Sequence, residues 1–268
     1  MYKLIALDMD GTLLNSEHRI SDENKQAIAA ARAKGVHVVL ASGRPLAGML
    51  TALQELDMDS DNDFVISFNG SMVQKVASKN AIRQEILTGE DAKLIADWAE
   101  KLNVNVHAFS IKDGLITPKN SQYTALESSI NGINLTEMPF VDLADDEAIL
   151  KVMMIDDEVQ LSQAISDLPA ALYEKFTIVR SAPFFLEFMN KNSDKGAGVQ
   201  ALAEHLGIQA SEVITMGDAG NDHHMLKYAG LGIAMGNATK ETKAIADYIT
   251  DTNNNSGVAQ AIEKFVLS

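Results

Sequence analysis

Short apolar runs alternate with amphipathic stretches along much of this chain. Leu4–Leu7 is apolar without alternation, which predicts a strand covered on both faces, and it stops at Asp8. Ser21 is a helix N-cap by type, with Asp22 and Glu23 in the first turn. Ala27, Ile28, Ala30 and Ala31 then give a compact apolar stripe, and Gly35 ends the helix. Residues 36–41 form a second apolar run that ends at Ser42-Gly43-Arg44-Pro45. A helix over 46–56, a strand over 64–68 and an Asn69-Gly70 turn complete a third unit. The last eighty residues repeat this grammar. Helices are predicted over 196–206, 221–228, 239–246 and 257–266, and strands over 212–216, 231–235 and 248–250. Alternating strands and helices with short links imply an α/β fold with a doubly wound parallel sheet, Rossmann-like in layout.

The middle of the chain reads differently. Strands over 105–109, 150–155 and 184–189 mix with helices over 91–102 and 158–167, and two of these strands alternate, which predicts a partly exposed sheet. Residues 83–190 hold 18 acidic and 8 basic side chains, against 19 and 14 in the flanks, so the acidic excess is concentrated there. That shift predicts a second α/β domain at 83–190 inserted between core segments 1–82 and 191–268. Asn253-Asn254-Asn255-Ser256-Gly257 is the only low-complexity stretch and reads as a loop.

Composition narrows the function. The chain has 268 residues, 46% hydrophobic, with a formal net charge of −15. So strong an acidic balance lacks the basic footprint of a nucleic-acid or anionic-membrane binder, and we expect neither partner. No cysteine is present, which excludes disulfides, thiol nucleophiles and thiolate metal sites. No run approaches 18 apolar residues, and Met1-Tyr2-Lys3 leads directly into a short strand rather than a signal peptide. A soluble cytoplasmic protein is the expectation; the oligomeric state is not legible.

Candidate chemistry lies just after the strands. Asp8-Met9-Asp10-Gly11-Thr12-Leu13 places two carboxylates beyond a buried strand, where open α/β sheets bind ligands, and Gly11 permits a tight turn. Alone, this is equally a strand-ending Asx turn. Other strand ends add to it. Gly217-Asp218-Ala219-Gly220-Asn221-Asp222 brings a third carboxylate, Ser42-Gly43 a hydroxyl and a backbone N–H, and Lys195 a cation. Carboxylates alone repel a phosphate, so a divalent cation and Lys195 are required to reverse the local field.

These four segments, in this order, resemble the four motifs of the haloacid-dehalogenase-like superfamily of phosphatases. The long insertion is similar to the α/β cap of its Cof-type branch, as are the strings from Lys151 to Asp156 and from Ser181 to Glu187. The resemblance spans essentially the whole chain. It implies that Asp8 is a nucleophile forming an aspartyl-phosphate and that Asp10 is the general acid and base, kept protonated by neighbouring carboxylates. It implies Mg²⁺ held by the Asp8 carboxylate, the Asp10 carbonyl and Asp218. The Met9 backbone N–H, Ser42, Gly43, Lys195 and Asn221 would hold the phosphoryl oxygens, with Asp222 behind Lys195. The expected substrate is a small phosphorylated metabolite, a sugar phosphate by the same resemblance. A phosphomutase shares the nucleophile, and a phospho-receiver or phosphometabolite-binding regulator would need neither Asp10 nor the insertion.

Several residues invite functional readings that their spacing does not carry. His223 and His224 lie about 100° apart on a helix and do not chelate one ion together. His18 reads as a surface residue, Trp98 as packing between Leu94 and Leu102, and Met153-Met154 as core. Glu187 in an apolar strand calls for a partner. Arg44 fits either a phosphate contact or a tie to a carboxylate. Asp57, Asp59, Asp61 and Asp63 lack the Gly and Glu of a calcium loop and read as a solvated loop.

Overall fold

The computed structural model describes residues 1–268 and divides them into two compact units, Met1–Gln84 with Asp194–Ser268, and Glu85–Ser193. In the first half of unit one, β1 (Leu4–Leu7) leads to α1 (Asp22–Ala33), β2 (His37–Ala41), α2 (Leu50–Glu55), β3 (Phe64–Ser67), β4 (Met72–Lys75) and β5 (Ala81–Gln84). Ser21 caps α1 by accepting from the Asn24 N–H, and Gly35 follows the helix with φ +83. The predicted helix over 46–56 is split: a 3₁₀ turn, Leu46–Met49, starts from Pro45 and passes into α2.

Unit two inserts α3 (Gly89–Lys101), β6 (Asn105–Ser110), β7 (Gly114–Thr117), α4 (Gln122–Asn131), β8 (Leu135–Glu137), β9 (Ile149–Ile155), α5 (Glu158–Asp167), α6 (Ala170–Lys175), β10 (Phe176–Ala182) and β11 (Phe185–Asn190). Its six strands run in the order β10-β11-β9-β6-β7-β8. Val106, Ala108, Val152, Met154, Leu186 and Phe188 pack on one face against Ile95 and Ala99 of α3, Leu161 of α5 and Leu172 of α6. The expected partial exposure is wrong for the strands that carried it: β9 is buried throughout, and β6 and β11 at all but one residue each. Their polar residues do not face water. Lys151 in β9 meets Glu187 of β11 at 3.2 Å and Glu127 of α4 at 3.9 Å, and His107 is fully buried. The partly exposed strands are β10 and β8, at the two sheet edges.

The chain then returns to unit one with α7 (Lys195–His205), β12 (Val213–Gly217), α8 (His223–Tyr228), β13 (Leu231–Ala234), α9 (Lys240–Ile245), β14 (Tyr248–Ile249) and α10 (Gly257–Ile262). The sheet order is β14-β13-β12-β1-β2-β3-β4-β5. The first six strands are parallel; β4 and β5 extend the edge antiparallel, a hairpin that the sequence reading did not foresee. Polar Gln74, Lys75, Arg83 and Gln84 in these short strands mask the apolar signal. The alternation of β1 sorts its side chains. Ile5 and Leu7 enter one core with Ala27, Ile28 and Val258, while Leu4 and Ala6 enter the other with Val199 and Leu202 of α7. β1 lies between β2 and β12, so the strand order reverses there and the loops after all three strands open at one rim. No helix is long and apolar enough to cross a membrane.

Candidate active site

Asp8 extends β1 by one residue, its N–H donating to the Met216 carbonyl at 3.0 Å, and its side chain is buried. Lys195 opens α7 and is wholly buried. Its ammonium donates to Asp8 Oδ1 at 2.5 Å and to Asp222 Oδ1 at 2.7 Å. The other oxygen of Asp222 accepts from the Asp218 N–H at 2.9 Å and the Ala219 N–H at 3.1 Å, which fixes the loop after β12. Thr12 Oγ1 donates to Asp218 Oδ1 at 3.1 Å. Gly11, at φ +80, passes so close that a Cβ there would lie 2.5 Å from Asp218 Oδ2. Residues some two hundred positions apart therefore share one pocket of charge at the sheet rim.

The electrostatics follow from three carboxylates facing one ammonium. Asp8, Asp218 and Asp222 each place an oxygen within 4.8 Å of the others. Burial raises the Asp8 pKa well above the usual carboxylate range, and the Asp222 charge adds to this against the opposing pull of Lys195. Asp218 is raised for the same reasons, burial first and Asp222 second. Burial works against the Lys195 ammonium, but Asp222 and Asp8 overcome it, so Lys195 stays charged. The site thus holds more negative charge than it can balance. All its free donors are hard oxygens, gathered within 4.8 Å of one another beside a single ammonium. This donor set fits a hard divalent ion.

Ser42 lies at the end of β2, buried, its N–H donating to the Ile66 carbonyl and its Oγ accepting from the Arg44 N–H at 3.2 Å. Asn69 donates its N–H to the Ser42 carbonyl at 2.9 Å, lies against Gly43, and accepts from Asn221 Nδ2 at 3.4 Å. The structure therefore brings Ser42, Gly43 and Asn221 together around Asn69. The Met9 side chain points into the core, and its carbonyl accepts from the Leu14 N–H at 2.9 Å. Thr12 and Asn69 are absent from the sequence-based site. The Asn-Gly pair was readable as a turn, and Asn69 does take a left-handed φ of +52, but nothing in the sequence links that turn to Ser42.

Asp10 stands apart from the three clustered carboxylates. Its side chain is half exposed, and Arg44 grips it with Nη2 at 2.6 Å and Nε at 3.0 Å while Nη1 reaches the Gly48 carbonyl. The expectation of carboxylate neighbours around Asp10 is corrected: its partner is a guanidinium. The same pair answers the open question over Arg44. The remaining residues fall away from the rim chemistry. His223 bonds Thr242, His224 is exposed, His18 is an exposed turn residue with φ +56, and Asp63 pairs with Arg32 at 2.6 Å.

Comparison with known proteins agrees with this geometry. Residues 5–262 match the haloacid dehalogenase-like hydrolase family. The chain is 40% identical over 270 residues to YxeH of Bacillus subtilis (strain 168), covering 100% of both. It is 36% identical over 265 residues to the 5-amino-6-(5-phospho-D-ribitylamino)uracil phosphatase YcsE of the same organism, covering 99% of this chain and 96% of YcsE. Among solved structures, the HAD subclass IIB sugar phosphatase BT4131 superposes with a TM-score of 0.81 at 28% identity, over 98% of each chain. The sheet-rim carboxylates, the buried lysine and a match over nearly the full length place this chain in the haloacid dehalogenase-like hydrolase family, as a phosphoric monoester hydrolase of the Cof type.

Proposed function

We propose that this protein hydrolyses small phosphorylated metabolites, sugar phosphates first among them, through an aspartyl-phosphate on Asp8 and with Mg²⁺ as its ion. The observation that carries this reading is the Lys195 ammonium, wholly buried and bonded to both Asp8 and Asp222, beside Asp218. A carboxylate attacks a phosphate monoester only when their mutual repulsion is cancelled. Lys195 is one fixed positive charge at that point. Asp8, Asp218 and the Asp10 carbonyl would hold the ion, which when bound supplies the remaining charge compensation for the phosphoryl oxygens. Asp222 is already committed to Lys195 and the Asp218 N–H and keeps both in place.

In this reading an Asp8 oxygen forms a bond to phosphorus as the ester P–O bond breaks. Asp10 must enter this step as the carboxylic acid, taking its proton from solvent before the substrate binds, and it passes that proton to the departing alkoxide. It then takes a proton from the water that attacks the acyl-phosphate, which releases inorganic phosphate and restores the Asp8 carboxylate. Ser42, the Met9 and Gly43 N–H groups and Asn221 would bind the phosphoryl oxygens. Arg44 holds the Asp10 carboxylate in one orientation through two donors. Residues 83–190 would supply selectivity for the leaving group, which makes them a cap in function as well as an insertion. The subclass IIB sugar phosphatase superposition and the phosphorylated ribityl substrate in the name of YcsE support a polyhydroxylated leaving group. The test is phosphate release from a panel of sugar, polyol and aryl phosphates, with Mg²⁺ and with chelator. Mg²⁺-dependent release that Asp8→Asn abolishes is expected; turnover that persists in chelator overturns the ion, and turnover in Asp8→Asn overturns the nucleophile.

A further inference from the structure

The asparagine-rich stretch after β14 reaches directly to the turn that follows Asp8. Asn253 is buried in a 3₁₀ turn, Asn253–Asn255, and its Nδ2 donates to the Leu14 carbonyl at 2.9 Å. Its backbone N–H donates to Asn237 Oδ1 at 2.9 Å. Asn237 in turn donates through Nδ2 to the Gly11 carbonyl at 2.8 Å. Both neighbours of the Asn237 amide are backbone groups with fixed roles, a donor on one side and an acceptor on the other. The orientation of that amide is therefore set by chemistry.

Gly11 is the hinge this relay holds. Its φ of +80 is a conformation that glycine adopts without steric cost. On one side a Cβ on Gly11 would collide with the Asp218 carboxylate, and on the other the Gly11 carbonyl meets Asn237. The next residue, Thr12, bonds Asp218, and the Asp218 carbonyl accepts from the Thr239 N–H, two positions beyond Asn237. The turn after β1 and the loop after β12 are thus closed into one ring through a single carboxamide.

We propose that Asn237 and Asn253 are positioning residues: their relay fixes the Gly11 and Leu14 carbonyls and so sets the separation of Asp8 and Asp218 on which divalent-ion binding depends. This rests on the reading that those two aspartates hold the ion. An Asn237→Ala protein keeps the carboxylates but loses the tie to Gly11, so its affinity for Mg²⁺ falls. Asn254 is the matched control. It joins the same two segments through two bonds to Ser16, both at 2.9 Å, and touches neither Gly11 nor Leu14.

The experiment measures the Mg²⁺ midpoint for p-nitrophenyl phosphate turnover, kcat and KM at saturating Mg²⁺, and the rise in melting temperature with added Mg²⁺, for wild type, N237A, N237D, N253A and N254A. N237A and N253A should raise the Mg²⁺ midpoint about tenfold by both turnover and melting, equivalent to about 1.4 kcal/mol, with KM moved by less than about twofold. N254A should match the wild type. N237D stands in if N237A does not fold. Its extra negative charge tightens cation binding by electrostatics alone, so a weaker Mg²⁺ midpoint there isolates the lost tie. An N237A or N253A midpoint within about twofold of wild type, or an N254A shift as large as that of N237A, overturns the proposal. A wild type that turns over no phosphate monoester refutes the phosphatase reading instead, and the melting titration still decides the relay. A wild type whose melting ignores Mg²⁺ removes the ion and the relay together.

Discussion

Replacing Lys195 by Met tests the electrostatic core of the site. Methionine keeps much of the length and leaves Asp8 and Asp222 with no ammonium. Both carboxylates are buried, and their bonds to Lys195 are 2.5 and 2.7 Å. Removing one partner of a buried ion pair destabilises by about 3–5 kcal/mol, because the other charge stays behind without compensation. For a chain of this size that corresponds to a fall in melting temperature on the order of 10 °C. The pH dependence has a definite sign. The Asp8 pKa is raised by folding, and Lys195 is the group that opposes the rise. Without Lys195 the Asp8 carboxyl moves up further. The folded state then binds more protons than the unfolded state between the ordinary carboxylate range and the raised value, so stability falls as pH rises through that window. The deficit of Lys195→Met against wild type should therefore shrink as pH is lowered from neutrality. Urea unfolding in chelator measures this. Circular dichroism follows both units, whereas Trp98, the sole tryptophan, follows the inserted one. Adding Asp222→Asn should restore part of the loss. A neutral-pH deficit below about 1 kcal/mol, or one that ignores pH, would refute the reasoning, since exposed pairs behave that way.

Three further outcomes are expected. Asp10→Asn should lower kcat by about 10²–10⁴ with KM little changed, as loss of a general acid and base requires; wild-type kcat in that variant removes the role. Gly217→Ala places a Cβ 2.5 Å from the Asp222 side chain, so the Lys195 pairing is displaced; steady-state turnover should drop at least tenfold and stability by about 1–3 kcal/mol, and a fully active variant contradicts the packing. His107 is buried beside Lys151, and burial chiefly depresses its pKa to about 3. Nothing is lost above the ordinary value of 6.5, but below it the unfolded chain takes a proton that the folded chain refuses. By pH 5 this amounts to about 2 kcal/mol. Trp98-monitored unfolding of wild type and His107→Gln between pH 5 and 8 should show the acid sensitivity only in the former.

What the sequence disclosed was whatever rests on local periodicity. Unbroken apolar runs such as Leu4–Leu7 and a capped helix such as α1 carry their own signal, so the parallel part of the core sheet was readable. Strand β9 was readable as a strand but not as a buried one, because Lys151 looks solvent-facing until Glu187 and Glu127 are seen against it. The hairpin β4–β5 carried too little apolar pattern to register. At the site, residue type and position after a strand named the carboxylates, and position at a Gly-rich helix start named the lysine. The guanidinium on Asp10, the amide of Asn69 beside Ser42 and the Asn237 tie to Gly11 are matters of side-chain direction across long separations, which spacing along one chain does not encode.

The second crossing of the chain falls between Ser193 and Asp194, one residue before Lys195. Asp194 caps α7 by accepting from the Ala197 N–H at 2.8 Å, and its carbonyl packs where a Cβ on Gly70 would lie only 2.0 Å away. The lysine is thereby moored to its own half of the fold, whatever precedes it. Replacing the intervening module by one of another length would leave this anchorage of the lysine intact.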